Sequence, residues 1–66
     1  MDISAIIPLY NEEESLHELH SWIKRVMDDH AFTYEILFID DGSKDSSWQV
    51  IKSLSEENPE VRGFRF

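Results

Sequence analysis

Two carboxylates close an apolar run in Ile36-Leu37-Phe38-Ile39-Asp40-Asp41-Gly42-Ser43. Side chains of this kind can hold a hard divalent ion such as Mg²⁺. They can also accept hydrogen bonds from a nucleotide base or ribose. A third reading is a plain turn, since Asp and Gly both favour turns. A second group, Pro8-Leu9-Tyr10-Asn11-Glu12, also follows an apolar run. There the ring of Tyr10 could pack against a planar base, gaining dispersion and burying apolar area. Glu12 and Asp41 would then accept hydrogen bonds from that base. The alternative is a strand-to-helix turn with a surface tyrosine.

The elements that must position these groups follow from hydropathy patterning. Ile3 to Leu9 reads as a strand, with Pro8 at its end or on an edge because proline cannot donate to a ladder. Asn11 with Glu14 three residues on resembles a helix cap and capping box, and Glu12 and Glu13 suit a first helical turn. Leu16, Leu19, Ile23, Val26 and Met27 recur at helical spacing, which predicts a helix to about Asp28. The stretch from Asp28 to Ala31 is a connector. Tyr34 to Ile39 is a second strand, and four large apolar residues in a row suit burial on both faces. Asp45 is the expected cap of a second helix, with Ser43 as its rival. Trp48, Ile51 and Leu54 form that helix's stripe, and Asn58-Pro59 stops it. Val61 to Phe66 is a third strand, with Phe64 and Phe66 on one face.

The order β-α-β-α-β implies an α/β fold with a parallel sheet. In open sheets of this kind ligands bind outside the carboxyl ends of the strands. Both chemical groups fall there. No G-x-G-x-x-G follows the first strand and no G-x-x-x-x-G-K-[ST] occurs, so neither a dinucleotide fingerprint nor a P-loop is supported. His17 and His20 read as surface or half-buried histidines rather than ligands. Trp22 and Trp48 read as packing residues.

Bulk properties narrow the partners. Six basic against fourteen acidic residues give a net charge of −8. That disfavours nucleic acid, whose binding needs phosphate neutralisation, and direct contact with anionic membranes. No apolar run is long enough to span a bilayer, and the N-terminus has no signal-peptide pattern, so the default compartment is the cytosol. No cysteine is present among the 66 residues. A domain this small buries only about 60% of its unfolded surface. An open three-stranded sheet would leave apolar surface and an unpaired edge, so a homodimer through the open sheet is expected.

Taken together, Ile6-Ile7-Pro8-Leu9-Tyr10-Asn11-Glu12-Glu13 and Phe38-Ile39-Asp40-Asp41-Gly42-Ser43-Lys44-Asp45-Ser46-Ser47 resemble the start of a family 2 glycosyltransferase. The closest flavour is the dolichyl-phosphate mannosyltransferase and polyprenyl-phosphate glucosyltransferase group. The resemblance spans essentially residues 1–66. It implies the N-terminal part of one truncated GT-A domain with a Rossmann-like, nucleotide-binding α/β fold. It implies sugar transfer from a nucleotide-sugar donor, a UDP- or GDP-sugar, to an acceptor such as a polyprenyl phosphate. Matched by motif, Pro8, Tyr10, Glu12, Ile39 and Asp41 are the implied nucleotide-binding residues, with Ile39 lining the base pocket and Asp40 orienting the loop. The family's Asp-x-Asp motif does not occur in this sequence. The resemblance therefore implies that the ligands of a divalent cation, Mg²⁺ or Mn²⁺, the catalytic residues and any membrane helices of the parent lie beyond Phe66. It implies half a donor site and an inactive fragment.

Two other classes compete. A phosphoacceptor receiver domain also carries an acidic pair after an apolar strand, but after its first strand, and here no suitable third aspartate follows strand three. A non-catalytic α/β interaction module would use the open sheet to bind a partner.

Overall fold

The computed structural model describes residues 2–66 and runs β1 (Ile3–Leu9), α1 (Leu16–Asp29), β2 (Tyr34–Asp40), α2 (Ser47–Glu57) and β3 (Val61–Arg65). The three strands form one parallel sheet in the order β1-β2-β3. The expected α/β class and parallel pairing are what the chain adopts. Register aligns Ile7 with Phe38 and Gly63, then Pro8 with Ile39 and Phe64, then Leu9 with Asp40 and Arg65. All three strands thus finish at one edge.

Both crossovers step the same way across the sheet, so a shared right-handed sense puts both helices on one face. Burial shows it. Along β2, Ile36 and Phe38 are fully buried, while Leu37 and Ile39 are only half-buried. The core joins Leu9, Ile36, Phe38 and Val61 of the strands to Leu16, Ile23, Ile51 and Leu54 of the helices. The expectation of burial on both faces of β2 is corrected: one face is covered among the described residues. On the other face Ile6 and Phe64 are exposed by 62% and 50%, and Phe66 by 80%. Parallel sheets are normally covered on both faces. Association of the isolated chain through this bare sheet is the expected outcome, read as a concentration-dependent mass in sedimentation equilibrium; a monomer at every concentration would refute it.

Several boundaries move. The helix start expected at Asn11 lies at Leu16, with Ser15 in the capping position. Asn11 has a left-handed φ of 52°, whereas a cap residue sits in extended backbone. Glu12 and Glu13 therefore precede the helix, and the acidic residue of its first turn is Glu18. Helix α1 reaches Asp29, β2 includes Asp40 and β3 stops at Arg65. Ser46 holds the capping position of α2, but the bond of a cap comes from Asp45, whose Oδ1 accepts the Ser47 N–H at 2.9 Å. His17 is exposed as expected, but His20 is buried, its Nε2 3.6 Å from a Glu60 carboxylate oxygen. It follows Leu16 on the inward stripe of α1, a position the helical spacing of apolar residues did not reveal. Trp48 packs against the core as expected, but Trp22 is 59% exposed.

Candidate functional site

The carboxyl edge is built from two loops, residues 10–15 and 41–46, which follow β1 and β2. Leu9 and Asp40 are the last paired positions, and the Asp41 N–H donates to the Leu9 carbonyl at 3.0 Å. Tyr10 and Asp41 therefore leave the sheet side by side, both exposed. One position earlier, Pro8 and Ile39 are register partners on the face the helices leave bare. Phe64 extends that row on β3. The structure thus brings Pro8, Ile39, Tyr10 and Asp41 to one corner of the sheet. Glu12 lies on the same loop, but its carboxylate turns towards α1, where Oε2 accepts the Ser15 hydroxyl at 3.0 Å.

Asp40 behaves differently from Asp41. It is fully buried, and its Oδ1 accepts the Ser43 N–H at 2.7 Å. This bond closes the turn Asp40–Ser43 around Gly42, whose φ of 77° suits glycine. Its second oxygen, Oδ2, is buried with no hydrogen-bond partner among the described residues. The two neighbouring aspartates thus divide the work: one shapes the loop from inside, the other faces solvent.

Sequence reasoning missed the bonds that join the two loops. The N–H of Asn11 donates to Ser43 Oγ at 2.8 Å, that of Glu12 to Ser47 Oγ at 2.8 Å, and that of Glu13 to Asp45 Oδ2 at 3.3 Å. In return, Asn11 Oδ1 accepts the N–H groups of Lys44 and Asp45 at 2.8 and 3.4 Å. Ser47 is fully buried and also donates its hydroxyl to Asp45 Oδ1 at 2.6 Å. The available signal was the set of small hydroxyl residues, Ser43, Ser46 and Ser47, opposite an Asn-Glu-Glu run; hydroxyl and carboxyl side chains are suited to backbone N–H groups.

Burial pushes the Asp45 carboxyl up, but the bonds from the Ser47 hydroxyl, the Ser47 N–H and the Glu13 N–H outweigh it and hold the group below its ordinary 3.8. A carboxyl lowered in the folded state adds stability that is complete above the unfolded value and lost as pH falls through the folded one. The inter-loop bonds are therefore expected to loosen on acidification below about pH 3.8. Amide shifts of Glu13 and Ser47 that titrate together in that range would check this, and shifts flat to pH 2 would contradict it.

Concave surface near the edge is acidic. An open depression of about 390 Å³ is lined by Asn11, Glu12, Glu13, Glu14, Ser15 and Asp45. A second, more apolar one of about 290 Å³ lies along α1 over Ser15, Glu18, Leu19 and Trp22. Pro8, Tyr10 and Asp41 are exposed and Ile39 is half-buried, so the corner those residues form is an open shelf. Among the described residues no three His, Asp or Glu side chains converge as metal ligands. The described side chains therefore do not fit the divalent cation that the resemblance implies.

A model of Glycosyl transferase family 2 matches residues 4–66. The chain belongs to that family. This family 2 chain is 42% identical over 59 residues to the uncharacterized glycosyltransferase YkcC of Bacillus subtilis, a match covering 89% of the chain and 18% of that protein. It is 42% identical over 59 residues to a dolichol-phosphate mannosyltransferase of Pyrococcus furiosus, covering 89% of the chain and 16% of that protein. With the bactoprenol glucosyl transferase of Shigella phage SfV it shares 34% identity over 61 residues, covering 92% and 20% respectively. The family 2 chain therefore spans between 16 and 20% of the length of these three relatives. No helix among its described residues is long and apolar enough to cross a membrane.

Proposed function

We propose that this segment holds the nucleoside of a nucleotide-sugar donor, within a glycosyltransferase that passes the sugar to an acceptor such as a polyprenyl phosphate. The observation that carries the reading is the corner where Pro8 and Ile39 pair in register and Tyr10 and Asp41 leave adjacent strands. A planar base laid on the Pro8–Ile39 shelf would meet apolar carbon on one side. Tyr10 offers it a ring, and Asp41 offers an acceptor for base N–H or ribose O–H groups. The family match supports the reaction class, and two relatives named for dolichol phosphate and bactoprenol support a polyprenyl acceptor.

Electrostatics argue against a diphosphate lying over the loop after β1. Successive N–H groups at a loop can cradle phosphate. Here the N–H groups of Asn11, Glu12 and Glu13 are already taken by Ser43, Ser47 and Asp45. The carboxylates of Glu12, Glu13, Glu14 and Asp45 line the adjoining depression and would repel a diphosphate. Nucleoside recognition here is thus a side-chain function. Charge neutralisation of the diphosphate, by a divalent cation such as Mg²⁺ or Mn²⁺, belongs to residues outside this segment. The chain alone is read as unable to catalyse transfer.

Titration of the chain with UDP and with GDP, followed by amide chemical shifts, tests this. The expected result is a saturable change centred on Tyr10, Asp41 and Glu12 with one of the two. No change with either would favour the interaction module, and turnover of a nucleotide sugar by the purified chain would overturn the division of labour.

A further inference from the structure

We propose that Asn11 is a positioning residue: it fastens the loop after β1 to the loop after β2 and so sets Tyr10 against Asp41. Three bonds meet on this one side chain and its own N–H, and all three lead to the other loop. Oδ1 accepts from Lys44 at 2.8 Å and from Asp45 at 3.4 Å, and the N–H donates to Ser43 Oγ at 2.8 Å. The partners stand 32 to 34 residues away in sequence. The left-handed φ of 52° is what faces both groups across the gap. Asn enters that region more readily than most residues. The side chain makes no hydrogen bond to helix α1, so the fastening is its whole structural use among the described residues.

The bonds also form a continuous line. Asp40 Oδ1 holds the Ser43 N–H, Ser43 Oγ holds the Asn11 N–H, and Asn11 Oδ1 holds the Lys44 N–H. Asp41 lies inside the turn that this line closes, and Tyr10 is the residue before Asn11. Freeing Asn11 Oδ1 leaves the turn of residues 40–43 intact but removes two of the bonds that join it to its neighbour, with those from the Asn11, Glu12 and Glu13 N–H groups remaining. The two candidate contacts would then keep their own conformations and their place beside each other, but their separation would be held less tightly. That consequence for ligand binding rests on the donor-site reading above; the fastening itself does not.

Three variants separate the possibilities. N11D keeps an acceptor at the same place, N11G keeps the left-handed backbone without the side chain, and N11A loses both. Amide hydrogen exchange of Lys44 and Asp45 reads the fastening without any nucleotide. It is expected to rise about threefold to tenfold in N11G, the range one lost hydrogen bond allows, and to stay near wild type in N11D. Unchanged exchange in a folded N11G would overturn the proposal. N11G also guards against misfolding, because glycine adopts a positive φ without a side-chain clash. With whichever of UDP or GDP shifts the wild type, N11G should bind about threefold to tenfold more weakly while its urea midpoint changes little, and N11D should restore binding. Equal affinity in N11G and wild type would reject the positioning role. Faster exchange in N11G, with no shift by either nucleotide in the wild type, would keep the fastening and reject the donor reading.

Discussion

Replacing Gly63 with alanine is expected to remove a large part of the chain's stability. Gly63 lies on β3 beside Phe38, on the face that α2 covers. A Cβ added there would fall on Ile51 Cγ2 well inside van der Waals contact, and 3.3 Å from Trp48 Cζ3. Ile51 is fully buried and branched at Cβ, so it has little room to turn away. Overpacking of this kind costs about 1–3 kcal/mol. Native stability amounts to roughly 0.05–0.15 kcal/mol per residue, so a chain this short stands to lose a large part of the total. Urea denaturation followed by circular dichroism should show G63A with a much lower midpoint, or no folded baseline. The cause is checked by the double variant G63A/I51L, since leucine lacks the offending branch. I51L should cost less in the G63A background than alone, and strictly additive effects would reject the clash.

The second large effect concerns Asp40. Truncation to alanine leaves the Ser43 N–H without the acceptor now 2.7 Å away, in a fully buried setting. A buried donor left unmatched costs about 1–3 kcal/mol. The same change frees the turn that carries Asp41, so D40A should lose stability and nucleotide-induced shifts together. Asparagine gives the opposite outcome. Its carbonyl oxygen can accept the Ser43 N–H, and burying an amide costs less than burying a carboxylate. Asp40→Asn is therefore expected to be at least as stable as the wild type. If D40N falls as far as D40A, the second carboxylate oxygen has a role beyond the turn, and loop shaping is not the whole account of Asp40.

Much of the frame was legible in the residues because it depends on local patterning. The apolar runs at 3–9 and 36–39 and the helical spacing of Leu16, Ile23, Ile51 and Leu54 give element type and order. The corner was legible for the same reason: parallel strands end together, so Tyr10 and Asp41 had to approach each other. The loops were not. Asn11 and Glu14 match a capping box by spacing, yet Asn11 bonds residues on another loop, and no local rule weighs such a partner against a helix terminus. Gly63 shows the same limit. Its need for a bare Cα arises from Ile51 and Trp48 on α2, which pack over it only once the crossover is made. His20 was misjudged because a polar side chain on an otherwise apolar stripe resembles a surface position until the neighbouring Glu60 is known.

Among the described residues the sheet is covered on one side only, and that governs what a binding curve on this chain would measure. Ligand binds the folded form, so an apparent dissociation constant equals the intrinsic one divided by the folded fraction. Apolar carbon at Ile6, Phe64 and Phe66 that stays in water contributes nothing to that fraction. If a tenth of the molecules are folded, affinity reads about tenfold too weak with every contact to the nucleoside intact. Osmolytes such as sucrose or TMAO, which favour compact states without touching the site, would then tighten apparent binding in step with the folded population.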